Sequence, residues 1–246
     1  MTLTMGKGPF GHQPSGIFDF EPPPHVVFVE PFLRRVRAVV DGLNVVDSER
    51  AMLVYESRTL PHFAFPREDV TVDAEPEPHV DGYVTLPWDS VEAWYEEDEQ
   101  VFVHPRDPYH RIDTVSTSRE VRISLGGTVL ADSTGVKALY ETGLPIRYYF
   151  PLHDVRLERI ELSDTVTECA YKGSAIHWSA KMGATLVPDV AWTYEGDGVR
   201  REAEDVKGRV CFYNERIDVD IDGVRQARPQ TPWSRPVDEP PAPPPI

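Results

Sequence analysis

The stretch VRAVVDGLNVVDSERAMLVYES, Val36 to Ser57, returns as VRISLGGTVLADSTGVKALYET, Val121 to Thr142, at a constant shift of 85 positions. Arg37 answers Arg122, Gly42 answers Gly127, Asp47 and Ser48 answer Asp132 and Ser133, and Tyr55 and Glu56 answer Tyr140 and Glu141. After a slip of one residue the match resumes, LPHFAFPREDV from Leu60 against LPIRYYFPLHDV from Leu144. Each copy alternates apolar residues such as Val36, Ala38 and Val40, turns at a glycine, alternates again, and closes a third run at Phe-Pro. Period-two alternation punctuated by glycine and proline is the pattern of antiparallel strands joined by tight turns. Two β-meanders in tandem follow, and with them an all-β chain of small antiparallel sheets and few helices.

Beyond the meanders the copies diverge. AWYE at Ala93 resembles AWTYE at Ala191, and RID at Arg111 echoes RID at Arg216. Tyr55 to Arg111 spans 56 positions and Tyr140 to Arg216 spans 76, so the first copy is 20 positions shorter in its second half. It has no counterpart of CAYKG between Val70 and Trp88, where TVDAEPEPHVDG reads as loop. This reading gives an irregular arm over 1–33, a shortened first domain over 34–115, a complete second domain over 116–225 and a proline-rich tail over 226–246.

The balance of 25 basic against 41 acidic residues, formal charge −16, excludes a surface built to neutralise phosphates, so nucleic acid is not the expected partner. The two cysteines, Cys169 and Cys211, form no CxxC pair and no disulfide framework, so neither metal nor cofactor is expected. The richest apolar run, VVFVEPFLRRVRAVV, is broken by Glu30, Pro31 and three arginines, and the first residues lack the pattern of a signal peptide. No membrane span and a cytoplasmic location are the expectation. The tail RPQTPWSRPVDEPPAPPPI is either a solubilising extension or a polyproline ligand for a protein partner.

Candidate chemistry concentrates in ECAYKGSAIHWS, Glu168 to Ser179. Lys172 before Gly173 can approach an anionic or carbonyl group closely, or stand exposed in solvent. Cys169, three positions earlier, is either a buried structural thiol or a nucleophile activated by that ammonium. Three positions along a strand point to opposite faces, so thiol and ammonium meet only if the chain turns at Tyr171 or Gly173. Glu141, repeated as Glu56, reads equally as an acid–base group or as a hydrogen-bonded part of the scaffold. Arg147 is a second cation for an anionic substrate. Tyr140, Tyr171, Trp178 and Trp192 supply large rings that form core or line a concave wall. His104, Asp107 and His110 carry metal-capable atoms in a proline-bent loop, His177 beside Trp178 reads as a partly buried histidine, and Cys211 reads as core.

The two YE…LP…FP…DV segments, the Cys-x-Tyr-Lys-Gly stretch and the closing GRVCFYNERIDV resemble a bacterial family called domain of unknown function 427, here in tandem. The resemblance covers most of Arg34 to Gly223. It implies a β-tent-like fold, two small antiparallel sheets meeting at an angle, as in the ligand-binding domain of cereblon and the Yippee proteins. Those relatives hold zinc with paired CxxC motifs, which this chain lacks, so the metal is not carried over. Their aromatic cages direct attention to Trp178 and Trp192, and the family also carries a nucleotidyltransferase-type label. The expected function is binding of a small polar-aromatic or nucleotide-like molecule through Tyr140, Arg147, Tyr171, Lys172, Gly173, Trp178 and Trp192. The alternatives are an enzyme for an anionic or nucleotide-type substrate, using Lys172, Glu141 and Cys169, and a protein-interaction scaffold.

Overall fold

Alternating Val, Ile and aromatic residues give strands throughout, and the glycine and aspartate turns between them carry the left-handed backbone that hairpins need, as at Asp41 and Gly42 or Gly126 and Gly127. The computed structural model describes residues 3–11, 16–231 and 234. Every strand pairing is antiparallel, and the regular structure outside the strands is short 3-10 turns. The protein is all-β. It divides into two compact units, Met1–His110 and Arg111–Pro245.

The first unit contains β1 (Val27–Pro31), β2 (Val36–Val40), β3 (Leu43–Ser48), β4 (Met52–Glu56), β5 (His62–Pro66), β6 (Glu75–Pro76), β7 (Tyr83–Thr85), β8 (Ala93–Glu96) and β9 (Glu99–Val101). These form a five-stranded sheet, β1-β4-β5-β7-β6, and a four-stranded sheet, β3-β2-β8-β9. Val36, Ala38, Val46 and Trp94 from the smaller sheet meet Leu53, Tyr55, Phe63 and Phe65 from the larger in one buried core.

The second unit contains β10 (Ile112–Ser116), β11 (Val121–Leu125), β12 (Thr128–Ser133), β13 (Lys137–Glu141), β14 (Arg147–Phe150), β15 (Ile160–Cys169), β16 (Gly173–Met182), β17 (Thr185–Val199), β18 (Val210–Phe212), β19 (Asp218–Ile221) and β20 (Val224–Arg225). Its four-stranded sheet runs β12-β11-β19-β20 and its large sheet has seven strands, β10-β13-β14-β18-β17-β16-β15. Val121, Ile123, Leu130 and Val219 pack against Phe150, Ala191, Val210 and Phe212 between the two sheets.

The repeated residues mark repeated construction. A register shift falls between Ala38 and Val39 in β2 and between Ile123 and Ser124 in β11, a bulge that bends each strand at the same point. Ser48 Oγ donates to Asp69 Oδ2 at 2.6 Å, and Ser133 Oγ donates to Asp154 Oδ2 at 2.5 Å. The same hydroxyls accept from the backbone N–H of Arg50 and of Gly135. The Asp-Ser and Phe-Pro…Asp-Val motifs are thus two halves of one clamp, closed by the bridges Val46–Val70 and Ala131–Val155.

Two alignments read from the sequence are corrected. Ala93–Glu96 pairs with β2, whereas Ala191 lies inside β17 between β16 and β18; the strand that pairs with β11 is Asp218–Ile221. Aromatic similarity between AWYE and AWTYE therefore marks no structural equivalence. Nor do the two RID segments correspond: Ile112–Ser116 opens the second unit by pairing with β13, as Val27–Pro31 pairs with β4 in the first. β15, β16 and most of β17 have no counterpart among the described residues of the first unit, where β7 pairs with β5 on one side and with the two-residue strand β6 on the other.

Candidate functional site

Consecutive residues of a strand point to opposite faces, so the seven-stranded sheet has a second face besides the one that packs on the four-stranded sheet. Along β18, Val210 and Phe212 enter the main core while Cys211 points the other way; β14 and β17 divide in the same manner at Phe150 and Tyr149, and at Ala191 and Trp192. Register lines up His177, Trp192, Cys211, Tyr149 and Lys137 across five strands on this second face. Leu139, Ala175, Tyr194 and Tyr213 join them, and Ala203 and Val206 of the 3-10 segment Arg201–Val206 cover the cluster.

Two ion pairs are buried among these rings. Arg147 extends from the start of β14, opposite Leu139, and grips Glu215 with both terminal nitrogens, Nη1 to Oε2 at 2.6 Å and Nη2 to Oε1 at 2.7 Å. Nη1 also donates to Oδ1 of Asn214, whose Nδ2 donates to the Ile146 carbonyl and so fixes the amide. The guanidinium lies 5.4 Å from the Trp192 ring centre and 5.9 Å from that of Tyr213. Burial pulls against the charge on Arg147, and Glu215 outweighs it, leaving the arginine above its ordinary pKa. Glu215 shows the mirror effect: burial raises it, while Arg147 and the Thr231 hydroxyl hold it below the usual carboxylate range.

The second pair is Lys172 with Glu141, Nζ donating to Oε2. Lys172 lies in the loop between β15 and β16, closed by the pairing of Cys169 with Gly173, so the chain does turn where thiol and ammonium need it to. Gly173 has φ +87°, and a Cβ there would stand 1.9 Å from the Gly198 carbonyl oxygen, so glycine lets the hairpin seat against β17. The backbone N–H of Arg200 donates to the Lys172 carbonyl at 3.2 Å, turning the side chain inward. Burial lowers the Lys172 pKa, and Cys169 and Glu141 together outweigh burial, so it stays an ammonium.

Of the residues expected to bind a ligand, Arg147, Lys172 and Trp192 come together on the second face, with Gly173 shaping the hairpin and Tyr171 buried in its loop. Tyr140 does not join them. It is 46% exposed and points to the face opposite its neighbours Leu139 and Glu141. Trp178 packs against the main core and donates from Nε1 to Thr193 Oγ1 at 2.9 Å, on the other side of the sheet from His177. Of the catalytic candidates, Glu141 and Lys172 are bonded to each other, and Cys169, partly exposed, lies close enough to act on the lysine's charge. Burial pushes the Cys211 thiol far up, which makes it a packing group. His104 turns Nδ1 to the Pro105 carbonyl and Asp107 accepts from the Tyr55 hydroxyl. Among the described residues no group of three or more His, Cys, Asp and Glu side chains could hold a metal, and no helix is long and apolar enough to cross a membrane.

Sequence reasoning missed Glu215, Asn214, Tyr213, Tyr149 and His177 as site residues. A usable signal was present in CFYNE, where Cys211, Tyr213 and Glu215 alternate, an acid extending an inward-facing row. His177 is 1% exposed, stacks on Tyr213 at 6.3 Å between ring centres, and pairs Nε2 with Thr167 Oγ1 at 3.0 Å; burial holds its pKa below the ordinary histidine value.

Fold and geometry define an all-β protein whose second unit carries a buried paired-charge and aromatic cluster on the second face of its large sheet. Residues 113–223, from β10 to the turn after β19, match the model of a family described as domain of unknown function (DUF427). No curated protein matches the chain.

Proposed function

We propose that the second unit binds a small polar-aromatic or nucleotide-like molecule on this face. The observation that carries the reading is the burial of two complete ion pairs, Lys172–Glu141 and Arg147–Glu215, within one aromatic cluster. Removing four charges from water costs several kcal/mol per ion, and an apolar core of the same volume is often more stable. A polar cluster of this kind is the makings of a recognition surface: rings to stack on, with donors and acceptors fixed in place. The first unit is, in this reading, a reduced tandem copy of the same domain that kept the clamp and lost the hairpin β15–β16. The cytoplasm is the proposed location, and the tail after Arg228 is the segment available to a protein partner.

One observation favours an enzyme as the second reading, namely the partly exposed thiol of Cys169 at the start of the loop that carries Lys172, closed by the pairing of Cys169 with Gly173. A thermal-shift screen of metabolites, nucleosides and nucleotides tests the first reading. Stabilisation of the second unit by a compound that leaves the first unit's transition unmoved supports it, and no stabilisation by any class overturns it. Turnover lost in Cys169→Ser would move the reading to the enzyme.

A further inference from the structure

The C-terminal segment reaches back to this site. After β20, Gln226 donates its backbone N–H to the Val219 carbonyl at 2.8 Å, and Arg228 Nη2 donates to Asp218 Oδ1 at 2.8 Å. Thr231 then donates from Oγ1 to Glu215 Oε1 at 2.7 Å. Thr231 is held by Ser234: the Thr231 N–H donates to Ser234 Oγ at 2.9 Å, the Ser234 N–H donates to the Thr231 carbonyl at 3.0 Å, and Ser234 Oγ donates to the Pro229 carbonyl at 3.2 Å. A half-buried hydroxyl from a proline-rich segment thus bonds a carboxylate oxygen that already accepts from Arg147.

Charge decides what else could bond there. Each cation of the cluster has a carboxylate partner, so Lys172, Arg147, Glu141 and Glu215 sum to zero. Both terminal nitrogens of Arg147 are engaged by Glu215, the fork geometry with which arginine would otherwise hold a phosphate. An anionic ligand would have to pull Arg147 away and leave a buried carboxylate behind, at a cost of several kcal/mol. A neutral hydroxyl or N–H displaces nothing but Thr231, because Glu215 Oε1 accepts one such donor in this structure. We propose, resting on the ligand-binding reading above, that the ligand is a neutral molecule with a hydroxyl or N–H donor, and that the hook at Thr231 is its intramolecular competitor for Glu215. Tethering gives the hook a high effective concentration, so the site opens only to a ligand that outbids one hydrogen bond.

The experiment uses the full-length chain with Cys169→Ser, alone and with Thr231→Val or Thr231→Ser. Alkylation of Cys211 by iodoacetamide reports opening of the cluster, since this thiol lies beside Tyr149 and Trp192 under the hook's anchor. Loss of a hydrogen bond to a charged acceptor should speed alkylation about tenfold in Thr231→Val, with Thr231→Ser restored to the parent rate. Calorimetry with three matched pairs, adenosine and adenosine 5′-monophosphate, uridine and uridine 5′-monophosphate, pyridoxine and pyridoxine 5′-phosphate, then reads the ligand class. At least one neutral member should bind more tightly than its phosphate, and about tenfold more tightly to Thr231→Val than to Thr231→Ser. Tighter binding of the phosphates overturns the ligand class. Equal alkylation in all chains overturns the hook, and neutral binding that ignores position 231 would do the same while leaving the ligand-binding reading standing. Faster alkylation with no binding by any probe overturns the proposed ligand and counts against the binding reading itself.

Discussion

Position for position, the two units treat one carboxylate differently. Glu141 in the second unit faces the permanent cation Lys172, whereas its repeat partner Glu56 faces His25 Nε2 at 3.3 Å, a side chain supplied from ahead of the first strand. Arg147 and His62 likewise hold matching places, opposite Leu139 and Val54. Arg147 pairs with buried Glu215; His62 pairs Nε2 with buried Glu77 at 2.8 Å. The architecture of acid plus partner is kept, but fixed cations stand in one unit and imidazoles in the other. The difference tracks the extra hairpin: only the unit that has β15 and β16 can bring Lys172 over the sheet and surround Arg147 with Trp192 and Tyr213. Scaffold and candidate site are therefore separable, with the clamp Ser48–Asp69 or Ser133–Asp154 in both units and, among the described residues, the Lys and Arg pairs buried on both sides, Lys172–Glu141 and Arg147–Glu215, in the second.

The largest expected effect breaks the fixed pair. Arg147→Met leaves Glu215 buried without its partner and should cost about 3–5 kcal/mol of second-unit stability in urea unfolding. His62→Leu removes a hydrogen bond from a partly exposed imidazole, and the buried Glu77 carboxylate keeps the His79 N–H at 3.1 Å, so the first unit should lose less, about 1–2 kcal/mol. Equal losses would remove the distinction between the units. Next in size is Gly173→Ala, which puts a methyl group onto the Gly198 carbonyl at positive φ. Its cost should be at least about 2 kcal/mol, with Lys172 displaced from Glu141. An unchanged unfolding midpoint would show that the hairpin is not seated as described.

Ser48→Ala and Ser133→Ala sharpen the other side of the comparison. Each removes the same two hydrogen bonds, one donated to the aspartate and one accepted from a backbone N–H, and should destabilise its own unit by a similar amount, about 1–3 kcal/mol; a clear inequality would mean that the repeated clamp is not equivalent in the two units. The smallest effect is on pH dependence. Burial lowers the pKa of His177 in the folded protein, so the unfolded chain takes up its proton first as pH falls. Stability from the neutral imidazole is therefore complete above the unfolded value of about 6.5 and is lost as pH falls toward the lower folded value. Between about pH 7.5 and 5, His177→Gln should show a flatter second-unit stability profile than the parent, and an identical slope would contradict the burial assigned to His177.

Much of this was legible before any coordinates. The meander strands were legible because period-two alternation recurs in both segments and glycine marks its turns; the shorter second half of the first segment, without a counterpart of CAYKG, goes with a sheet of five strands against seven. Lys172, Gly173, Arg147 and Glu141 stood out because charges and a glycine among apolar residues are conspicuous. What stayed hidden was which side each residue faces across strands distant in sequence. Trp178 and His177 are neighbours, yet one enters the core and the other the site, and nothing in AIHWS fixes that parity before the register with Trp192 is known. AWYE and AWTYE misled for the same reason, since composition is shared while pairing partners are not. Glu215 and Thr231 come to Arg147 from the far end of the chain, a meeting that local pattern does not encode.

The most direct measurement follows the indole N–H resonances of Trp192 and Trp94 in an amide correlation spectrum, each assigned by its Trp→Phe variant, while a stabilising compound is titrated in. Trp192 donates to the Tyr149 hydroxyl at 3.2 Å inside the site, and Trp94 donates to the Trp88 carbonyl at 2.9 Å in the core of the first unit. The expected result is a saturable shift of the Trp192 indole with Trp94 unmoved. A shift confined to Trp94, or a bound compound that leaves Trp192 unmoved, would contradict the proposed ligand binding at the second face of the second unit's large sheet.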